Sequence, residues 1–231
     1  MPTIAENLAA VRARIQAAAS RAGRSAADVQ LVAVSKTHPP EIVREAIAEG
    51  VTVLGESRIQ EAKAKISELP GKLQWHFIGH LQTNKAREAV ELFHTIQSVD
   101  SVRLARELDK FAGHASRRLA VLLECNVSGE ATKFGFKPDE VMEALAELNR
   151  LPRLDIQGLM TMAPFFEDPQ EARPTFRALR ELRDRLQARH GIPLPTLSMG
   201  MTNDFEVAIE EGTTMVRIGT AIFRTAPDDE P

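Results

Sequence analysis

Cysteine is almost missing from this 231-residue chain: Cys125 stands alone, so neither an internal disulfide nor a multi-cysteine zinc site can form. Tyrosine is missing altogether, which removes the phenol as a catalytic acid or base. No apolar run is long enough to span a bilayer, and the N-terminus has no apolar signal-peptide segment, so the expectation is a cytoplasmic protein without a membrane partner. Neither sign of charge dominates. With 29 Lys and Arg scattered among 32 Asp and Glu, the net charge is -3 and no basic stripe marks a nucleic-acid footprint. A long Pro/Gly/Ser linker is lacking too, and 43% hydrophobic content supplies one sizeable core, so residues 1–231 read as a single domain with a small molecule as ligand.

What is present is a repeated beat of strand then helix. A leading helix opens at Thr3, which forms a capping-box pattern with Glu6, carries Ile4, Leu8, Val11 and Ile15 at helical spacing, and stops near Gly23. Eight strand-like runs follow: 31–35, 52–54, 75–78, 95–99, 119–125, 154–158, 196–199 and 214–218. Helical patterns fill the gaps at 41–48, 57–69, 83–93, 102–111, 138–149, 169–190 and 203–211. Only residues 221–225 remain for a last helix, and the tail at about 226–231 is acidic. Eight such units with right-handed crossovers predict a (β/α)8 TIM-type barrel with an extra N-terminal helix. The runner-up, a doubly wound open sheet, has no Gly-x-Gly-x-x-Gly after the first strand to support it.

Barrel chemistry gathers at the carboxyl ends of strands. There the first strand ends in Val34-Ser35-Lys36-Thr37, placing an amine where the sheet opens. A lysine closing a buried strand is expected to be partly desolvated, which lowers its pKa and makes Lys36 a candidate Schiff-base residue. The plainer alternative is a snorkelling or ion-paired strand-end lysine. The seventh strand runs into Ser198-Met199-Gly200-Met201-Thr202 and the eighth into Arg217-Ile218-Gly219-Thr220, two glycine turns at helix starts. Each alone reads as a turn and cap. Together they occupy the recurrent phosphate position of this fold, and with Lys36 on the same rim they point to an aldehyde-bearing phosphate ester.

The residues also carry a family resemblance. Val34-Ser35-Lys36-Thr37, Gly55-Glu56, the run from Trp75 to Lys85, Asn126 to Glu130, Gly158 to Thr161, Leu197 to Met201 and Val216 to Phe223, in this order, resemble the pyridoxal phosphate homeostasis proteins, relatives of the amino-terminal barrel of alanine racemase. The resemblance implies pyridoxal 5′-phosphate (PLP) bound as a Schiff base on Lys36, phosphate contacts from Ser198, Thr202 and the Gly219-Thr220 turn, and Arg217 facing the pyridine nitrogen. It implies a carrier that holds and releases PLP rather than an enzyme, with apo forms of PLP-dependent enzymes as candidate recipients. The alternatives are a PLP-dependent racemase or lyase of the same fold and an aldolase acting through Lys36. Racemase relatives use a tyrosine from a second domain, and this chain has no tyrosine and ends soon after the eighth strand. Three positions depart from the family pattern: Ser57 where Asn follows Gly-Glu, which leaves a cap available; Thr202 where Ser is usual; and Arg224 where Gly is typical.

Other residues admit plainer readings. His76 and His80 lie four apart without a third ligand at metal spacing, so no metal is expected. Trp75 and Phe77 read as barrel packing, and Met160 as a pocket wall. Lys133, in the loop after the fifth strand, is either a solvated charge or a second amine that helps receive PLP.

Overall fold

In the computed structural model, which describes residues 2–69, 71–130 and 132–224, the Thr3 pattern starts a helix as expected. The Thr3 hydroxyl accepts from the Glu6 N–H at 3.2 Å and the Glu6 carboxylate accepts from the Thr3 N–H at 2.7 Å. Two otherwise unpaired amides are thereby satisfied, and α1 (Ile4–Arg21) runs on with Ile4, Leu8, Val11, Ile15, Ala18 and Ala19 buried along one stripe.

Eight strands follow: β1 (Gln30–Val34), β2 (Val53–Glu56), β3 (Gln74–Phe77), β4 (Thr95–Val99), β5 (Leu119–Glu124), β6 (Leu154–Met160), β7 (Thr196–Ser198) and β8 (Met215–Ile218). Every neighbouring pair is parallel, and β1 also pairs with β8, Val32 opposite Arg217 and Ala33 opposite Ile218, so the sheet closes in sequence order. The expected (β/α)8 barrel is the observed fold. Around it lie α2 (Pro40–Ala48), α3 (Ile59–Glu68), α4 (Ala86–Leu92), α5 (Val102–His114), α6 (Pro138–Leu148), α7 (Arg173–His190), α8 (Phe205–Glu210) and α9 (Thr220–Phe223). α1 packs on the outside against α8 and α9, held by Arg14 to Glu206 at 2.7 Å and Arg21 to Glu210 at 2.9 Å.

The boundaries that moved have local causes. The pattern over 169–190 splits into a 3-10 turn (Pro169–Ala172) and α7, because Pro174 has no N–H to continue the ladder and fits the start of a helix instead. A 3-10 turn (Thr83–Lys85) likewise precedes α4. Ser57 does not cap α3: Arg58 holds the cap position and makes no side-chain capping bond. Thr225 and the acidic tail at 226–231 lie outside the described residues.

The core is layered. Aliphatic and aromatic side chains fill the space between sheet and helices, Trp75 and Phe77 among them, with Phe77 edge-on to Phe93 at 5.0 Å. A separate apolar cluster, Val32, Val53, Leu122, Met160 and Met215, draws on five strands and fills the barrel interior. Met160 therefore belongs to this inner plug. Above the plug, toward the carboxyl ends, the interior turns polar.

Candidate functional site

That polar layer is a directed chain of hydrogen bonds across the barrel. Arg217 on β8 donates from Nη1 to the Ser198 hydroxyl at 2.6 Å, Ser198 donates to Gln97 Oε1 at 2.6 Å, and Gln97 Nε2 lies 2.8 Å from His76 Nδ1. Gln97 has only an N–H to offer there, so Nδ1 accepts and the neutral ring carries its proton on Nε2. Burial, with His94 adding, pushes His76 down to about 4, which keeps it neutral. The second Arg217 nitrogen donates to the Thr161 carbonyl at 2.9 Å. Burial pulls the Arg217 guanidinium down to about 10 while Glu124 and Asp204 pull it back up, so it stays a cation at neutral pH.

Glu124 ends β5 in the same layer. Burial, reinforced by Asp100 and opposed by Arg217, raises its carboxyl to about 7. Burial also raises Asp204, whose Oδ1 accepts the Met201 N–H at 2.7 Å and shapes the turn after β7.

The two glycine turns are stapled together: the Thr202 hydroxyl accepts the Ala221 N–H at 3.3 Å, and the Arg217 N–H donates to the Gly200 carbonyl at 3.0 Å. Gly200 sits at φ +94°, and a Cβ there would lie 2.6 Å from the Ala208 Cβ. A Cβ on Gly219 would lie 3.1 Å from the Val34 carbonyl, so the backbone after β8 closes tightly on the end of β1. Glycine thus lets the turns after β7 and β8 close on each other, Gly200 buried beneath them, with the Thr202 hydroxyl and the Gly219-Thr220 backbone left at the accessible edge. A hydroxyl and turn backbone of this kind can hold an anion, and the same end of the barrel carries the buried Arg217 cation and the Lys36 amine.

Lys36 stands four residues beyond Val32, the register partner of Arg217, on the same rim. One expectation fails here: Lys36 is exposed, because β1 ends at Val34 and the chain has already left the barrel when it reaches the amine. Ser198 also sits differently from the expectation. Fully buried, its hydroxyl is engaged by Gln97 and Arg217, which makes it an anchor for the guanidinium. Lys133 lies half-buried at the rim, its ammonium meeting the Met162 carbonyl and Glu130, each at 3.1 Å. His80 Nδ1 lies 3.2 Å from Asp100 Oδ2, and its ring stacks on Phe134. Among the described residues no cluster of His, Cys, Asp and Glu is arranged to hold a metal. Burial pushes the Cys125 thiol up, so it is an inert core residue. Two surface hollows lie at the opposite end of the barrel, one of them between Arg12, Gly50 and Val53.

Gln97, Glu124 and Asp204 were not among the expected site residues. The first two had a signal: a polar or charged side chain inside a strand that parallel pairing buries on both faces.

Comparison with known proteins decides the family. Residues 7–227 match the sequence model of the alanine racemase N-terminal domain. The pyridoxal phosphate homeostasis protein of Aquifex aeolicus is 48% identical over 219 residues, covering 94% of this chain and 96% of that protein. The chain belongs to the pyridoxal phosphate homeostasis protein family. The family member of Pseudomonas aeruginosa is 46% identical over 227 residues, covering 96% of each. Among solved structures, PipY of Synechococcus elongatus with PLP bound superposes with a TM-score of 0.84 at 39% identity, over 96% of this chain and all of that one. PipY without PLP gives 0.87 at 40% identity. No helix among the described residues of this family member is long and apolar enough to cross a membrane.

Proposed function

We propose that this chain, as one barrel domain over residues 1–231, holds PLP covalently on Lys36 and releases or delivers it, serving PLP homeostasis as a carrier and not as a catalyst. The observation that supports this most is the meeting, on one rim, of an exposed amine, a buried guanidinium locked by Ser198 and Thr161, and two stapled glycine turns. When bound, PLP supplies an aldehyde that condenses with an amine, forming the C=N bond and losing water. Thr202 and the Gly219-Thr220 turn would hold the phosphate, and Arg217 would face the ring nitrogen. A fixed cation there disfavours protonation of that nitrogen, which makes the ring a poorer electron sink and suits storage better than turnover. An exposed Lys36 is open to exchange with the amines of other proteins, with apo PLP-dependent enzymes as recipients. The racemase alternative needs a second acid or base opposite the lysine, and the chain has no tyrosine to act as one.

Borohydride reduction of the PLP-loaded protein followed by peptide mapping tests the assignment. The pyridoxyl label is expected on Lys36, and Lys36→Ala should lose the coloured species while the glycine turns retain some non-covalent PLP. A label confined to Lys85 or Lys133 would sink the assignment. In parallel, PLP transfer to an apoenzyme is expected without sustained amino-acid racemisation; racemisation lost in Lys36→Ala, with no transfer, would replace the carrier reading by the racemase one.

A further inference from the structure

The exposed Lys36 side chain has little around it to aim it, so its direction depends on its backbone, and that backbone is gripped on both sides by one helix. On the N-terminal side, the buried Lys65 ammonium of α3 donates to the Ser35 carbonyl at 2.5 Å and to Glu56 Oε1 at 2.7 Å, and the Ser35 hydroxyl donates to that same oxygen at 2.7 Å. On the C-terminal side, the Thr37 N–H donates to Glu61 Oε2 at 3.1 Å. This contact is the main reason the Glu61 carboxyl lies below the usual glutamate range. Thr37 sits at φ +68°, a left-handed conformation unfavourable for a β-branched residue and sustained only where surrounding contacts over-determine it. Its hydroxyl closes back on the Lys36 carbonyl at 2.6 Å. Glu61 and Lys65 are one helical turn apart, so the rigid spacing of α3 fixes the separation of the two grips.

We infer that Glu61 and Lys65 of α3 are positioning residues that clamp the peptide groups on either side of Lys36 and thereby aim its amine at the barrel mouth. Without the Glu61 grip, Thr37 relaxes out of its left-handed conformation and the amine samples directions from which the aldehyde is not reached. The inference deepens the PLP reading and rests on it.

Three Glu61 variants test it. Glu61→Ala removes the acceptor, Glu61→Asp keeps the charge on an arm too short to reach the Thr37 N–H, and Glu61→Gln keeps an acceptor oxygen at full length without the charge. Imine formation with PLP is titrated by absorbance, with borohydride mapping to Lys36, and amide exchange at Thr37 is followed in the cofactor-free protein. Ala and Asp are expected to weaken imine formation about tenfold, and Gln by less than about threefold, in keeping with the loss of one charge-assisted hydrogen bond. Thr37 exchange should quicken in Ala and Asp and stay slow in Gln. Wild-type affinity and exchange in Ala and Asp would overturn the clamp, and so would a Gln variant as weak as Ala. Should Ala fail to fold, the contrast between Asp and Gln decides. Failure of the wild-type protein to label Lys36 would sink the PLP reading instead, while Thr37 exchange in the three variants still tests the clamp.

Discussion

Glu124 shows how much one side chain in the barrel mouth controls. A carboxyl that titrates at about 7 in the folded protein holds its proton more tightly than in the unfolded chain, where glutamate titrates near 4.5. The native state therefore binds more protons between those two values, and this group's contribution to stability falls as pH rises from about 4.5 to 7, then levels off. Glu124→Gln, a neutral mimic, is expected to gain stability over wild type on going from pH 5 to pH 8, by up to roughly 3 kcal/mol. Chemical denaturation at the two pH values measures it, and a difference independent of pH would show that Glu124 is not buried beside Asp100. His76 has the opposite sign. Its folded value of about 4 lies below the ordinary 6.5, so its contribution is present above pH 6.5 and is lost as pH falls through 4. Measuring the difference between variant and wild type cancels that background. Above pH 7 the ionised Glu124 also faces Arg217 and strengthens its positive state, which ties the guanidinium proposed for the ring nitrogen to the proton on β5.

Helices here are fastened by specific end groups and ion pairs in addition to their apolar stripes. On α8, the buried Glu211 at the C-terminal cap gathers Arg173 and Arg177 at 3.0 Å and Arg180 at 3.4 Å, all from α7. Those arginines recur along one face of α7, and a single carboxylate thereby locks the helices that flank β7. α1 depends on its start: Thr3→Ala removes the hydroxyl that receives the Glu6 N–H and is expected to cost about 1 kcal/mol, whereas Thr3→Ser should cost a few tenths. Denaturant midpoints of the two variants check this. Equal midpoints for Ala and wild type would mean that packing of Ile4 and Leu8 holds the end of α1 without its cap.

One strand pair in the closed barrel approaches too closely for a side chain. Gly158 on β6 faces Thr196 on β7, and a Cβ at Gly158 would fall 1.8 Å from the Thr196 carbonyl, a rigid backbone atom. Gly158→Ala is therefore expected to destabilise the protein by roughly 3 kcal/mol or more, or to abolish folding, read by far-UV circular dichroism and thermal melting. A fold of undiminished stability would show that β7 can shift at little cost. The sequence by itself determined the eight strands, most of the helices and the rim on which Lys36, Thr202, Arg217 and the Gly219-Thr220 turn lie, because period, turn residues and caps are local signals. Only the tertiary structure decided what those residues touch. Ser198 turned out to serve Arg217 because Gln97 reaches it from β4 on the far side of the barrel, and Lys36 proved exposed because β1 ends two residues before it. Glu61 and Lys65 came to grip the Lys36 backbone through contacts 24 and 30 residues apart in sequence. Such pairings depend on register and burial set by barrel closure, and no local pattern in the chain encodes them.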